Sequence, residues 1–178
     1  MLIFSAAHKP KLPQEPLTER LLGLSPCIES DCRVLVLGSF PSAASLAAKQ
    51  YYAHPQNRFW SIVGDCLGAN LRALPYRERI NRVKAAGIGI WDIYASCERS
   101  GSLDSAIRNA EFNDFKKLRR RAPGITRVCL NGGTAAKAMR HLTELEFETI
   151  VLPSTSPANA SQDYAFKLAR WGIALEAR

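Results

Sequence analysis

The residues of this chain best suited to chemistry are amides, hydroxyls and aromatic rings. They are His54, Asn57, Asp92, Asn131, Ser154, Ser156 and Asn159, set among Phe40, Tyr51, Tyr52 and Trp91. A pocket assembled from such groups suits a flat heterocycle that is read by hydrogen bonds and held by stacking. It suits strong-acid or metal-dependent chemistry poorly. The three histidines and five cysteines are scattered, without CxxC pairs or an HxE segment, so neither a zinc site nor a disulfide framework is expected. The sequence also lacks GxGxxG, the GxxxxGK[ST] phosphate loop and the GxSxG elbow, which leaves no support for a dinucleotide site, a phosphate loop or a serine hydrolase. No cofactor is expected.

These groups need a scaffold that brings distant loops together. Arg33–Leu37, RVLVL, reads as a buried strand ending in GSFPS, with Ser42 placed to cap a helix over Ala43–Gln50. Phe59, Trp60, Ile62, Val63, Cys66 and Leu67 recur at helical spacing over Arg58–Leu67. Pro75 opens a third helix that Gly87 stops, and Ile88–Tyr94 follows as a second strand with Asp92 near its end. Ala95–Ser105 reads as a loop and Phe112–Arg121 as a helix with Phe112, Phe115 and Leu118 inside. Thr126–Asn131 is a third strand, Thr134 a cap for Ala135–His141, Glu148–Leu152 a fourth strand, and Gln162–Trp171 a last helix. Strands alternating with helices predict a three-layer α/β/α sandwich around a central four-stranded parallel sheet. Ligands of such sheets bind beyond the carboxyl ends of the strands, so GSFPS, SCERSGSLDS, NGGT and PSTSPANA should converge on one cleft.

With 178 residues, one domain is the natural expectation, here residues 33–178. Residues 1–32, with four prolines around a short helical candidate at Leu17–Leu22, read as an arm packed on it. No apolar stretch is long enough to span a bilayer, and the N-terminal segment turns polar too soon for a signal peptide; a soluble, cytoplasmic monomer is expected. The net charge of +8 and pI near 9.5 favour a polyanionic partner. The densest cluster, Lys116, Lys117, Arg119, Arg120 and Arg121, is equally consistent with the solvated face of a helix.

GSFPS followed by YYAHPQNRFW, and later by SPANA, resembles the uracil-DNA glycosylase superfamily, most closely its hypoxanthine (deoxyinosine) DNA glycosylase branch. The resemblance covers most of Arg33–Trp171. It departs from several branches at Phe40, where they place a catalytic Asn or Asp, and near SPANA, where several relatives carry a His that steadies the leaving base. The resemblance implies damaged DNA as partner, base flipping, and Asn57 as the catalytic residue; from the residues alone Asn57 is also suited to cap the helix starting at Arg58. It further implies a substrate pocket of Phe40, Tyr52, His54, Asp92, Ser96 and Asn131, with Tyr52 stacking on the flipped base. Ser42, Arg58, Ser154, Ser156 and Asn159 would contact the DNA. Structural alternatives stand beside these roles: a His-Pro turn for His54, a partner of loop donors for Asp92, a turn residue for Asn131. The implied activity is monofunctional excision of a deaminated base, hypoxanthine before xanthine or uracil. A non-catalytic nucleic-acid-binding module and an enzyme of free nucleosides are the competing readings.

Overall fold

The computed structural model describes residues 19–176. Its centre is a parallel four-stranded sheet built from β2 (Val34–Gly38), β3 (Ile88–Asp92), β6 (Arg127–Asn131) and β7 (Glu148–Leu152), in the order β3-β2-β6-β7. β2 is buried along its whole length, as a continuous branched apolar run requires when both faces are covered. Leu35, Leu37, Val128 and Leu130 face one core, with Leu118 of α4 (Leu118–Arg121) and Leu142 of α5 (Met139–Glu144). Val34, Val36, Ile88, Ile90 and Cys129 face the other. They pack there with apolar side chains of α2 (Phe59–Cys66), α3 (Tyr76–Ala85) and α6 (Tyr164–Leu175). The expected three-layer α/β/α architecture is therefore present, with period-two alternation along each strand feeding two cores.

The short α1 (Ala43–Ala48) follows β2, and Ser42 caps it as expected, its Oγ accepting from Ser45 N at 3.2 Å. Lys49 closes α1 in the left-handed region, two residues short of the expected end. α6 is capped by Asp163, whose carboxylate accepts from Phe166 N at 2.7 Å, and runs on to Leu175 rather than stopping at Trp171. Thr134 makes no side-chain cap; a 3₁₀ turn over Ala135–Ala138 leads into α5 instead.

A second, antiparallel sheet departs from the expected layout. It is formed by β1 (Arg20–Leu22), β4 (Tyr94–Glu98) and β5 (Arg108–Phe112), in the order β1-β4-β5. Arg20–Leu22 is thus a strand where a helix was expected, Glu19 before it is in no element, and Leu17–Thr18 of that helical candidate lie outside the described residues. Tyr94, expected to end the second strand, and residues 95–98, expected in a loop, form a strand paired on both sides, because the chain leaves the parallel sheet at Ile93 and turns into the smaller one. Phe112 ends β5 half-exposed, and the expected helix shrinks to a 3₁₀ turn over Phe115–Lys117 and the single turn of α4. Asn113 explains this: its backbone N donates to Ile93 O at 2.8 Å and its side chain to Asp92 O at 2.9 Å, fixing extended chain where a helix would begin.

The basic cluster of residues 116–121 lies at the amino ends of the strands. Arg119 donates to the carbonyls of Ile125, Leu145 and Glu146 and covers the Phe147 ring at 4.0 Å, and Lys117 pairs with Asp114 at 3.4 Å. Arg119 therefore braces loops at the end opposite the strand carboxyl ends. Among the described residues no helix is long and apolar enough to cross a membrane.

Candidate active site

The carboxyl ends of β2, β3, β6 and β7 open into one cleft of about 700 Å³, within the range of small-molecule sites. Its floor is set by Gly38, the last residue of β2. A Cβ there would lie 2.5 Å from Asp92 Oδ1 and 3.3 Å from Tyr52 Oη, so only glycine lets these two groups close over the strand end. Phe40 lines the cleft but is largely buried, with the Arg99 guanidinium 5.1 Å from its ring centroid. Ser39 Oγ donates to Asp104 Oδ1 at 2.7 Å and Ala43 N to Ser102 Oγ at 2.9 Å, which bind the loop after β4 to GSFPS. Ser42 stands on the cleft wall above them.

The segment YYAHPQN is held by side-chain hydrogen bonds. Trp60 Nε1 donates to Tyr51 O at 3.1 Å, Tyr51 N to Tyr76 Oη at 3.0 Å, and Ala53 N to Ser45 Oγ at 3.1 Å. Between these anchors Tyr52 adopts φ 55°, a left-handed conformation costing a bulky residue about 1–3 kcal/mol. That turn lays its ring on Phe59, with centroids 3.7 Å apart and planes at 16°. Burial, reinforced by the nearby Asp92, pushes its hydroxyl pKa well up, so Tyr52 remains a neutral ring.

Asn57 reaches the cleft from the start of α2. Its Oδ1 accepts from Phe59 N at 2.9 Å, satisfying the first N–H of α2 from one residue ahead of the N-cap position, Arg58, while its Nδ2 has no partner among the described residues. Asn131 ends β6 with both sides of its amide engaged. Nδ2 donates to Thr155 Oγ1 at 3.0 Å and Tyr52 Oη at 3.3 Å, and Oδ1 accepts from Thr155 N at 2.9 Å. It joins three walls of the cleft, more than the turn position after β6 suggested.

PSTSPANA forms the remaining wall. Ser154, Ser156 and Asn159 line the cleft, as expected. Two residues that sequence reasoning missed hold this wall. Thr155 is fully buried and its carbonyl accepts from Arg58 N at 3.0 Å. Lys167, 1% exposed, donates to Ser154 O at 2.8 Å and Asn159 O at 2.7 Å. Burial, with Arg58 nearby, lowers the Lys167 pKa. Its spacing of four from Trp171 on α6 was the available signal that it faces inward.

Three expected contact residues stand elsewhere. His54 does not line the cleft; its Nδ1 accepts from Gln56 N at 3.2 Å and its carbonyl from Asn57 N at 2.9 Å, the turn-shaping role. Ser96 lies in the antiparallel sheet, donating to Glu111 Oε2 at 3.1 Å, because the chain has already turned away from the cleft. The Arg58 side chain lines a neighbouring groove, 5.8 Å from the Tyr164 ring centroid.

Asp92 is the most perturbed acid of the cleft. It is 4% exposed, its Oδ2 has no hydrogen-bond partner among the described residues, and its pKa is raised to about 7, first by burial and then by the charge of Asp104, with Arg99 opposing. Asp104, a further cleft residue not singled out in the sequence, is bound by Ser39.

Fold and site together define a parallel-sheet α/β/α protein with one cleft of amides, hydroxyls and aromatic rings at the strand carboxyl ends. The model of the uracil DNA glycosylase superfamily matches residues 26–173, and the chain belongs to that superfamily. It is 38% identical, over 77% of its length and 87% of the relative's, to a protein of Methanosarcina acetivorans named hypoxanthine DNA glycosylase. A Methanosarcina barkeri protein of the same name is 35% identical over the same shares. A solution NMR structure from Methanosarcina acetivorans, described as a candidate uracil DNA glycosylase, superposes with a TM-score of 0.81 at 34% identity. That match covers 88% of this chain and 97% of the other.

Proposed function

We propose that this protein is a monofunctional DNA glycosylase that removes hypoxanthine from deoxyinosine, ahead of xanthine or uracil, and acts as a cytoplasmic monomer on damaged DNA. The observation that carries this reading is the juxtaposition of the Tyr52–Phe59 stack with the hydrogen-bonded amide of Asn57 at the mouth of one cleft. The names of the two Methanosarcina relatives favour hypoxanthine as the base.

Hydrolysis of an N-glycosidic bond develops positive charge on the sugar, so the catalyst must place a water and support the departing base. Asn57 supplies the water-orienting group: a carbonyl oxygen carries two lone pairs, and the bond from Phe59 N uses one. Its free amide N–H faces the base. Tyr52, backed by Phe59, offers its other face to the flipped base, a contact worth about 1–3 kcal/mol. That is comparable with the few kcal/mol needed to extrude a nucleotide. Ser154, Ser156 and Asn159 lie where phosphates of the flipped strand would pass, and Ser42 and Arg58 flank them. Phe40 fills the position of an Asn or Asp catalyst of other branches, which fits a base other than uracil.

Lys167 does not alter the monofunctional reading. Its ammonium is buried behind the loop and donates to two carbonyls, so it is not free to attack the sugar. Incubation with a duplex bearing one deoxyinosine should give strand cleavage at that site only after alkali. An uncut strand with excess folded enzyme contradicts the reading.

A further inference from the structure

We propose that Asp92, as the neutral carboxylic acid, donates its proton to N7 of the departing purine. The inference rests on the glycosylase reading above and adds to it the group that assists base departure.

The geometry is that of an acid waiting for an acceptor. Asp92 closes β3 and lines the cleft floor beside Gly38, whose missing side chain is the space its Oδ1 occupies. The side chain is buried, and Oδ2 meets no donor or acceptor among the described residues. A buried carboxylate in a folded protein is ordinarily held by an arginine, a lysine or several N–H donors. The Arg99 charge opposes the loss of ionisation at a distance, but among the described residues none of the charged and titratable groups facing Asp92 makes a hydrogen bond to it. Asp104 presents like charge, and Tyr51 and Tyr52 are neutral hydroxyls, Tyr51 donating to Leu24 O and Ser25 O. The Arg99 guanidinium covers Phe40 and donates to Pro41 O. Burial without a hydrogen-bonded countercharge favours the neutral form of an acid, and a neutral acid carries one O–H to donate. Oδ1, beside Gly38 on the cleft, makes no hydrogen bond to a protein atom among the described residues, so an O–H carried there meets its acceptor when a ligand fills the cleft. The pKa near 7 places this acid where proton transfer is efficient at neutral pH.

The step balances. The O–H bond of Asp92 breaks as an N7–H bond forms, and the C1′–N9 bond breaks with its electron pair remaining on the base, which leaves as neutral hypoxanthine. Water adds its oxygen to C1′ and loses a proton to solvent, and the Asp92 carboxylate is reprotonated from solvent. SPANA lacks a histidine to stabilise a base anion, and a proton from Asp92 removes the need for one.

The test is single-turnover excision by the full chain and by Asp92→Asn across pH 5 to 9. Two duplexes are used, one with deoxyinosine and one with 7-deaza-deoxyinosine, which has no N7 to protonate. Wild-type excision of deoxyinosine should fall roughly tenfold per pH unit above about 7, as the acid form is lost. Asp92→Asn should lose that limb and be slower by about 10²–10⁴-fold at pH 6, with lesion-duplex binding retained and the thermal midpoint not lowered. Asp92→Glu should keep a pH-dependent limb. On the 7-deaza duplex, wild type and Asp92→Asn should be equally slow. A variant that slows both duplexes by the same factor with an unchanged wild-type pH slope assigns Asp92 a structural role and overturns the proposal. If wild type releases no base from deoxyinosine at any pH, the glycosylase reading fails first.

Discussion

On the proposed reading Asn57 has two physical jobs, and separating them tests it. Its Oδ1 satisfies the first N–H of α2 through the 2.9 Å bond from Phe59 N, and its amide faces the cleft. Replacing an Asn cap by Ala costs about 0.5–2 kcal/mol. For a domain of this size, about 1 kcal/mol corresponds to a midpoint roughly 2–4 °C lower. Asn57→Ala should show that loss together with a fall of at least about 100-fold in deoxyinosine excision, the magnitude of removing one positioned transition-state group. Asn57→Ser keeps a capping oxygen, so its midpoint should return to within about 1 °C of wild type, while excision stays as low as in Asn57→Ala. The assays are scanning calorimetry and single-turnover release on the same preparations. Recovery of excision together with stability in Asn57→Ser would show that the cap is the whole contribution of this residue, and would refute its assignment to chemistry.

Three further outcomes follow from the geometry. Tyr52→Ala should weaken binding to a deoxyinosine duplex by about 1–3 kcal/mol, read as a Kd change by fluorescence titration; an unchanged Kd argues against stacking. Asp92→Asn should be more stable than wild type at pH 8, with the gap closing towards pH 4. The folded pKa of about 7 lies above the ordinary 3.8, so wild type loses stability as pH rises between those values, up to about 4 kcal/mol by linkage. Urea melts across pH check this, and a variant less stable at pH 8 contradicts it. Lys167→Met removes two charge-assisted bonds to the Ser154 and Asn159 carbonyls. Its expected cost is about 1.5–3 kcal/mol in urea unfolding, with faster amide exchange over residues 153–160; wild-type exchange there would show that the loop does not depend on it.

The parallel sheet was legible because its strands are short apolar runs bounded by turn residues, and the cleft followed from where such strands end. The antiparallel sheet was not. β5, Arg108–Phe112, is a polar edge strand with no alternation, and β4 is broken by register shifts at Ser96, so neither shows period-two patterning. Asn57, Tyr52, Asn131 and SPANA stood out by residue type, but which atoms remain free was invisible: the Asn131 amide is fully engaged by Thr155 and Tyr52. Thr155, Lys167 and Asp104 were missed because their roles depend on contacts across 24, 13 and 65 residues of chain. Arg119 read as surface charge because a short helix beside a loop carries no sequence mark of bracing it.

The proposed reaction of this cleft is hydrolysis of the bond between a deaminated purine and its DNA sugar. Mass spectrometry of a reaction on a single-deoxyinosine duplex tests it most directly. Free hypoxanthine should appear in equal amount to an abasic strand that is otherwise intact. An unmodified strand, release of the nucleoside inosine, or a strand already broken before alkali would contradict it.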